Sequence, residues 1–343
     1  MKKVNLSIDV GGTHTRLRVE IIENGKITFT SQEYIQAINS KDELRNFIKS
    51  SLNDINSDIK PTHCVIGFAG AVIEHREVKI TNWENAPTII LEDLNEWGFP
   101  ENNTIMVNDM DLAGYGILDM EENDEMNSDQ FEILYKPDFP AKNRINNKLV
   151  IAPGTGFGTA SIIEFITLSG KRVKDVLSSE IQHIQIPPMD DRHAEIISII
   201  LSNKPERNFL NFEDFVSGKG LRETYEAILK LNGIDQKEKD AKQIAESAVN
   251  EIDKYAIEAL NIFYRCVGRI IQAMALIIQP YSGIYLCGAS TINNVKFIHQ
   301  SGLIEELHNC LIRQQLLIQF PVYIITKSDI NIAGGLWACR NII

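Results

Sequence analysis

An internal echo constrains this chain more than any other feature. LSIDVGGTHTRLRV and LVIAPGTGFGTASI align at an offset of 143 residues, matching Leu6 to Leu149, Ile8 to Ile151 and Gly11 to Gly154. Each reads as an apolar strand, a glycine turn and a second strand. Glycine packs nothing and weakens a strand ladder, so two glycine-broken strands at a common register imply that something approaches the backbone there. Turns that glycine permits present backbone N–H groups, and concave arrays of such donors bind phosphate. The two hairpins are therefore expected to face each other across a cleft between two α/β halves. They differ at one position: Asp9 has Ala152 as its counterpart. A carboxylate beside a phosphate site calls for a divalent cation, because like charges would otherwise repel. For either turn alone, a structural glycine hairpin is the simpler reading; the shared register is what favours a nucleotide site. No GxxxxGK[ST] occurs, and Gly154-Thr155-Gly156-Phe157-Gly158 is not the GxGxxG of a dinucleotide fold.

The rest of the chain reads as α/β. Residues 4–10, 15–22 and 26–31 are expected strands, the last two joined at Asn24-Gly25, a pair suited to a two-residue hairpin turn. Residues 41–53 carry a helical apolar pattern, CVIGFAG reads as a short buried strand, and TIMVNDMDLAGYGI as a strand followed by a helix start. Residues 119–147, acidic at first and weakly periodic, are expected to be a surface excursion between domains. A second α/β unit is expected from Lys148, with mainly helical pattern over 190–280 and apolar strands in SGIYLCGAS and PVYIIT before a final helix from Ile332.

Composition narrows the class. At 343 residues and 44% hydrophobic, the chain can bury a large core and suits two domains. A formal charge of -12 argues against nucleic-acid and anionic-membrane partners. Residues 255–281 are apolar but broken by Glu258, Arg265 and Arg269, which favours a core helix over a membrane span. The N-terminus lacks a long apolar stretch of the signal-peptide kind, so the cytoplasm is the expected compartment. Five scattered cysteines, none in a CxxC pair, suggest neither disulfides nor structural zinc.

Two further groups could carry chemistry. Asn108 and Asp109 follow the apolar run 105–107 and precede a helix. Either suits a helix N-cap, while an Asp at the carboxyl end of a strand, beside a phosphate site, can accept the proton of an attacking hydroxyl. Glu180 and His183 lack a third metal ligand, and in a regular strand they would point to opposite faces, so a shared site needs an irregular loop. From the residues alone, an exposed Glu and a satisfied surface His are the plainer reading.

Taken together, Asp9-x-Gly-Gly-Thr-x-x-Arg16, GFAGAV at 67–72, Thr81-Asn82, Val107-Asn108-Asp109, Gly154-Thr155-Gly156-Phe157-Gly158, Glu180-x-x-His183, FEDFVSGKGL at 212–221, IYLCGAS and INIAGGLWACR resemble, in content and order, the motifs of bacterial-type glucokinases over nearly the whole chain. The resemblance implies a two-domain actin-like ATPase fold of the ribonuclease H-like kind. A smaller domain of residues 1–110 plus 328–343 would close on a larger one of 111–327. It implies ATP-dependent phosphorylation of a hexose, most plausibly glucose, at the 6-hydroxyl. Asp109 would be the base, and Asn82, Asn108, Glu180, His183 and Glu213 would hold the other hydroxyls. Gly11, Gly12, Thr13, Gly154, Thr155, Gly156 and Gly288 would hold ATP, with Asp9 positioning Mg²⁺ through water. A homodimer is the family expectation.

The chain departs from that family pattern at His14, Ala71, Trp83, Ala289 and Ile181-Gln182, the last pair standing where Gly-Gly is usual. Bulk at Ile181 and Gln182 bears directly on how Glu180 and His183 are aimed. The cysteine-rich zinc motif of the repressor-and-kinase branch does not follow His183. The competing function is a non-catalytic sugar or nucleotide sensor on the same fold, or a kinase of another hexose; a filament-forming ATPase is a weaker third.

Overall fold

The computed structural model describes residues 2–80, 83–138, 146–235 and 239–343. It divides into two compact units, Met1–Asn127 with Asp329–Ile343, and Ser128–Ser328.

In the first unit, strands β1 (Lys2–Val10), β2 (Thr15–Glu23), β3 (Lys26–Thr30) and β4 (Tyr34–Gln36) precede helix α1 (Lys41–Ile55) and strand β5 (His63–Phe68). A small sheet of β6 (Val72–Ile73), β7 (Glu77–Lys79) and β8 (Thr88–Ile90) follows, then helix α2 (Leu91–Glu96), strand β9 (Thr104–Asn108) and helix α3 (Asp109–Glu122). The main sheet runs β3-β2-β1-β5-β9, antiparallel through the hairpins and parallel from β1 outward. Asn24 and Gly25 both take positive φ, 53° and 76°, as the expected two-residue turn requires.

The second unit contains β10 (Phe131–Tyr135), β11 (Lys148–Pro153), β12 (Phe157–Ile166) and β13 (Arg172–Ser179). Helices α4 (Asp191–Ser202), α5 (Gly218–Leu231), α6 (Ala241–Val249) and α7 (Lys254–Ile278) come next. Strand β14 (Ile284–Leu286), helices α8 (Ala289–Ile298), α9 (Leu303–His308) and α10 (Gln314–Leu317) and strand β15 (Val322–Ile325) complete it. Its sheet runs β10-β15-β14-β11-β12-β13. From its outer hairpin inward this is the same plan as the first sheet: three antiparallel strands, then two parallel ones.

The internal echo is thus a repeated topology, with one adjustment. Asp9 pairs with Arg16, whereas Ala152 pairs with Gly158, so the offset of 143 on the first strand becomes 142 on the second (158 − 16). The second turn is one residue shorter. Both still close alike: the Gly11 N–H donates to the His14 carbonyl at 3.1 Å, and the Gly154 N–H to the Gly156 carbonyl at 2.8 Å.

Helix α11 (Ile330–Asn341) returns to the first unit and packs on α3 and β1. Its glycines make that approach possible: a Cβ at Gly334 would fall on the Leu112 carbonyl of α3, and one at Gly335 on the Ser7 hydroxyl of β1. Arg340 then pairs with the buried Asp119 and Glu20.

Two sequence expectations change. The stretch 119–147 is not a continuous excursion, because Asp119 and Met120 are buried in α3 and Phe131–Tyr135 forms the sheet-edge strand β10 against β15. The acidic run and the half-buried pattern of β10 hid it from periodicity; residues 139–145 lie outside the described ones. The expected division after residue 110 gives way to one after Asn127, since α3 packs with α11 inside the first unit.

Helix α7 is long and apolar enough to cross a membrane by length and composition. Its buried residues belong to the core of the second unit, and its charges are paired there: Glu258 with Arg192, and Arg265 and Arg269 with Glu306. Cys64, Cys266, Cys287 and Cys339 are buried, and Cys310 is half-buried.

Candidate active site

Each unit carries its own set of the expected residues. In the first, Asp9 lies one residue before the end of β1 and is 6% exposed. Its Oδ2 accepts from Asn331 Nδ2 of α11 at 3.3 Å, and its buried Oδ1 has no hydrogen-bond partner among the described residues. Burial pushes the carboxyl up to about 6, against the pull of its cross-strand neighbour Arg16 and the Asn331 hydrogen bond. Asp9 is followed by the turn Gly11–His14, in which a Cβ at Gly11 would sit 3.1 Å from the His14 carbonyl.

Asn108 ends β9 and caps α3. Its Oδ1 accepts from the Met110 N–H at 2.8 Å, while Asp111 returns a bond to the Asn108 N–H at 3.1 Å. Its Nδ2 donates to the Gly70 carbonyl at 2.8 Å, tying the GFAG loop to the start of the helix. The capping role weighed from sequence is therefore realised at Asn108. Asp109 follows as the first residue of α3, half-buried, and its pKa is raised to about 7. Burial is the main cause; the nearby charge of Asp9 adds to it, and backbone N–H groups of Met110 and Asp109 oppose it. A carboxyl poised near neutrality beside a second carboxylate has the character of a proton acceptor. Asn82, expected as a sugar contact, lies with Thr81 outside the described residues.

In the second unit, Glu180 and His183 are brought to one side by a short 3₁₀ turn over Ile181–His183. Residues three apart eclipse in such a turn, which supplies the irregular backbone that a shared site demanded. His183 Nε2 lies 3.3 Å from Glu180 Oε2 and its Nδ1 3.3 Å from Glu213 Oε2. Glu213 is held through its neighbours. Phe212 is buried, and Asp214 is gripped by both Arg207 nitrogens at 2.6 and 2.7 Å and by Lys204 at 3.2 Å. Hydrogen bonds from Ile186 to Leu210 and from Phe212 to Ile184 lash the segment after His183 to the one before Glu213.

The second glycine turn reaches the same cluster: a Cβ at Gly156 would stand 3.1 Å from Glu213 Oε1. Gly288, at φ 91°, caps α8 beside the end of β11, 3.8 Å from Ala152 Cβ by the same construction. Gly154, Thr155, Gly156 and Gly288 thus gather at the carboxyl ends of the neighbouring central strands β11 and β14. The N-terminus of α8 adds partial positive charge suited to an anion.

A model of the Glucokinase family matches residues 6–341. The chain belongs to the glucokinase family. It is 24% identical over 335 residues to the glucokinase of Mesorhizobium japonicum, covering 97% of this chain and 90% of that one. Among solved structures, glucokinase from Balamuthia mandrillaris in complex with glucose has a TM-score of 0.83 at 24% identity, covering 99% of this chain and 94% of that one. Glucokinase from an Antarctic psychrotroph has a TM-score of 0.76 at 23% identity, covering 99% of both chains. These likenesses establish the sugar-kinase, actin-like α/β fold. Membership of the glucokinase family makes the chain an ATP-dependent sugar kinase.

Three contacts of these residues escaped sequence reasoning: Asn331 on Asp9, the Gly70 carbonyl on Asn108 and Gln182 on Glu180. The first two join residues 322 and 38 positions apart, which no local pattern signals. The third was visible only as bulk where the family carries glycine.

Proposed function

We propose that this glucokinase-family chain transfers the γ-phosphoryl group of ATP to the 6-hydroxyl of glucose with Asp109 as general base. The observation that carries the assignment is Asp109 itself, set at the first position of α3 and raised to about 7 by burial and by Asp9. The sugar oxygen forms a bond to the γ-phosphorus as the bond from that phosphorus to the β–γ bridging oxygen breaks. The hydroxyl proton passes to Asp109, and ADP leaves with the bridging oxygen. Such transfers rely on positioning and charge stabilisation more than on covalent chemistry.

Glu180, His183 and Glu213 hold sugar hydroxyls in this reading, and Asn108 fixes the start of α3 so that Asp109 keeps its aim. A site built from polar partners rejects sugars that lack a matching hydroxyl, because its own groups would be left unpaired. The backbone N–H groups of the turns 11–13 and 154–156, with Gly288, hold the nucleotide.

The buried, unpartnered Oδ1 of Asp9 fits a water-mediated hold on Mg²⁺. Among the described residues no cluster of three or more His, Cys, Asp or Glu could hold a metal ion, so the nucleotide would supply most of its ligands. When bound, Mg²⁺ neutralises developing charge on the phosphates.

The test is ADP release from Mg-ATP across a panel of hexoses, with the product identified. Release that depends on glucose and yields glucose 6-phosphate is expected. Sugar binding without ADP release would instead assign the chain to the sensor reading.

A further inference from the structure

Gln182 faces inward from the 3₁₀ turn and is 7% exposed, while its neighbours Glu180 and His183 have side chains 59% and 52% exposed. From that buried position its Nε2 donates to Glu180 Oε2 at 2.6 Å. The amide's orientation is forced, because an ionised carboxylate only accepts. The same Oε2 lies 3.3 Å from His183 Nε2, and Oε1 stays unengaged among the described residues. Gln182 Oε1 is itself buried without a partner among the described residues, so the amide is committed to the carboxylate at the expense of its own carbonyl. Ile181, on the same turn, packs against the apolar core of the second unit and anchors the backbone from which both acidic and imidazole groups project.

We infer that Gln182 is a positioning residue for sugar binding: it locks the Glu180 carboxylate so that Oε1 is presented outward to a sugar hydroxyl. This rests on the glucose-binding role of Glu180 proposed above. An exposed carboxylate otherwise samples several rotamers, and ordering it on binding lowers affinity. A neutral donor fixes the carboxylate without cancelling its charge, leaving it a strong acceptor.

The experiment measures glucose binding by calorimetry and glucose KM and kcat in parallel, on the full chain. Gln182→Met keeps the buried bulk and removes the donor. It is expected to weaken glucose binding and raise KM by about 3- to 10-fold, leaving kcat within about 2-fold and the thermal midpoint unchanged. Gln182→Glu sets a second carboxyl against Glu180, and paired carboxyls hold a proton more tightly than single ones. Its glucose affinity should be poor at pH 8 and recover by pH 6, where the shared proton restores a donor. A merely structural residue would not give a pH-dependent sugar affinity. Native affinity in Gln182→Met, or the same deficit at both pH values in Gln182→Glu, overturns the proposal. Absence of glucose binding by the unaltered chain would defeat the glucokinase reading instead, so the two failures are distinguishable.

Discussion

The turn after β1 and the turn after β11 share a closing hydrogen bond and a place in the same strand plan, yet they offer different chemistry. Before the first stands Asp9, buried, raised to about 6 and paired across the hairpin with Arg16. Before the second stands Ala152, paired with Gly158, and an acid, Glu213, approaches Gly156 from a different loop. A glycine hairpin therefore provides a backbone platform that can be duplicated, while each copy's reactivity depends on side chains brought in from elsewhere. The first unit gathers carboxyls that hold protons near neutrality; the second gathers an imidazole between two carboxylates.

Removing the base should break this asymmetry most severely. Asp109→Ala is expected to lower kcat by about 10² to 10⁴, with glucose binding by calorimetry retained; turnover close to native would remove Asp109 from its role. Making the first turn resemble the second comes next. Asp9→Ala should lower activity by about 10- to 100-fold, as for residues that act on a metal through an intermediary, and raise the Mg²⁺ concentration needed for half-maximal rate. An unchanged Mg²⁺ requirement would dissociate Asp9 from the cation.

The pH profile sharpens the contrast. Asp109 works only when ionised, and its raised pKa keeps it protonated up to neutrality. The kcat/KM for glucose should accordingly fall about tenfold per pH unit on the acid side of about 7. Stability runs the other way. Carboxyls whose folded pKa is raised stabilise the fold while protonated, and that contribution is lost as pH rises through about 6 for Asp9 and about 7 for Asp109. Asp109→Asn should therefore gain most in thermal midpoint over the native chain at pH 8, keep less of that gain at pH 5 and lose it by about pH 4. A constant difference between the two pH values would show that Asp109 is not raised.

The smallest expected effect is at the second turn. In Gly156→Ala the new methyl meets the Glu213 carboxylate, which can swing aside. Glucose KM should rise about 2- to 5-fold through the Glu213–His183 contact, in the range of one weakened hydrogen bond. A change confined to the KM for ATP would separate Glu213 from that turn.

Much of the fold was legible because it rests on local rules. Glycine turns, period-two strands and the Asn-Gly hairpin each declare themselves within a few residues, and the echo at 143 foretold a hairpin repeated in two halves. The strand β10 was not legible, since four half-buried residues around an exposed Ile133, beside an acidic run, give too weak a period.

The sequence by itself located the two glycine turns, at Gly11 and Gly154, and the carboxylate at a strand end, Asp109, because these depend on residue type and immediate neighbours. Only the tertiary structure decided the state of those groups. Asp9 meets Asn331 because α11 packs closely enough, through its glycines, to reach β1. Asn108 is occupied as a cap and a loop tie, and Glu180 is aimed by an inward-facing amide. Burial and proximity set protonation and orientation, and neither is a property of a residue read in isolation.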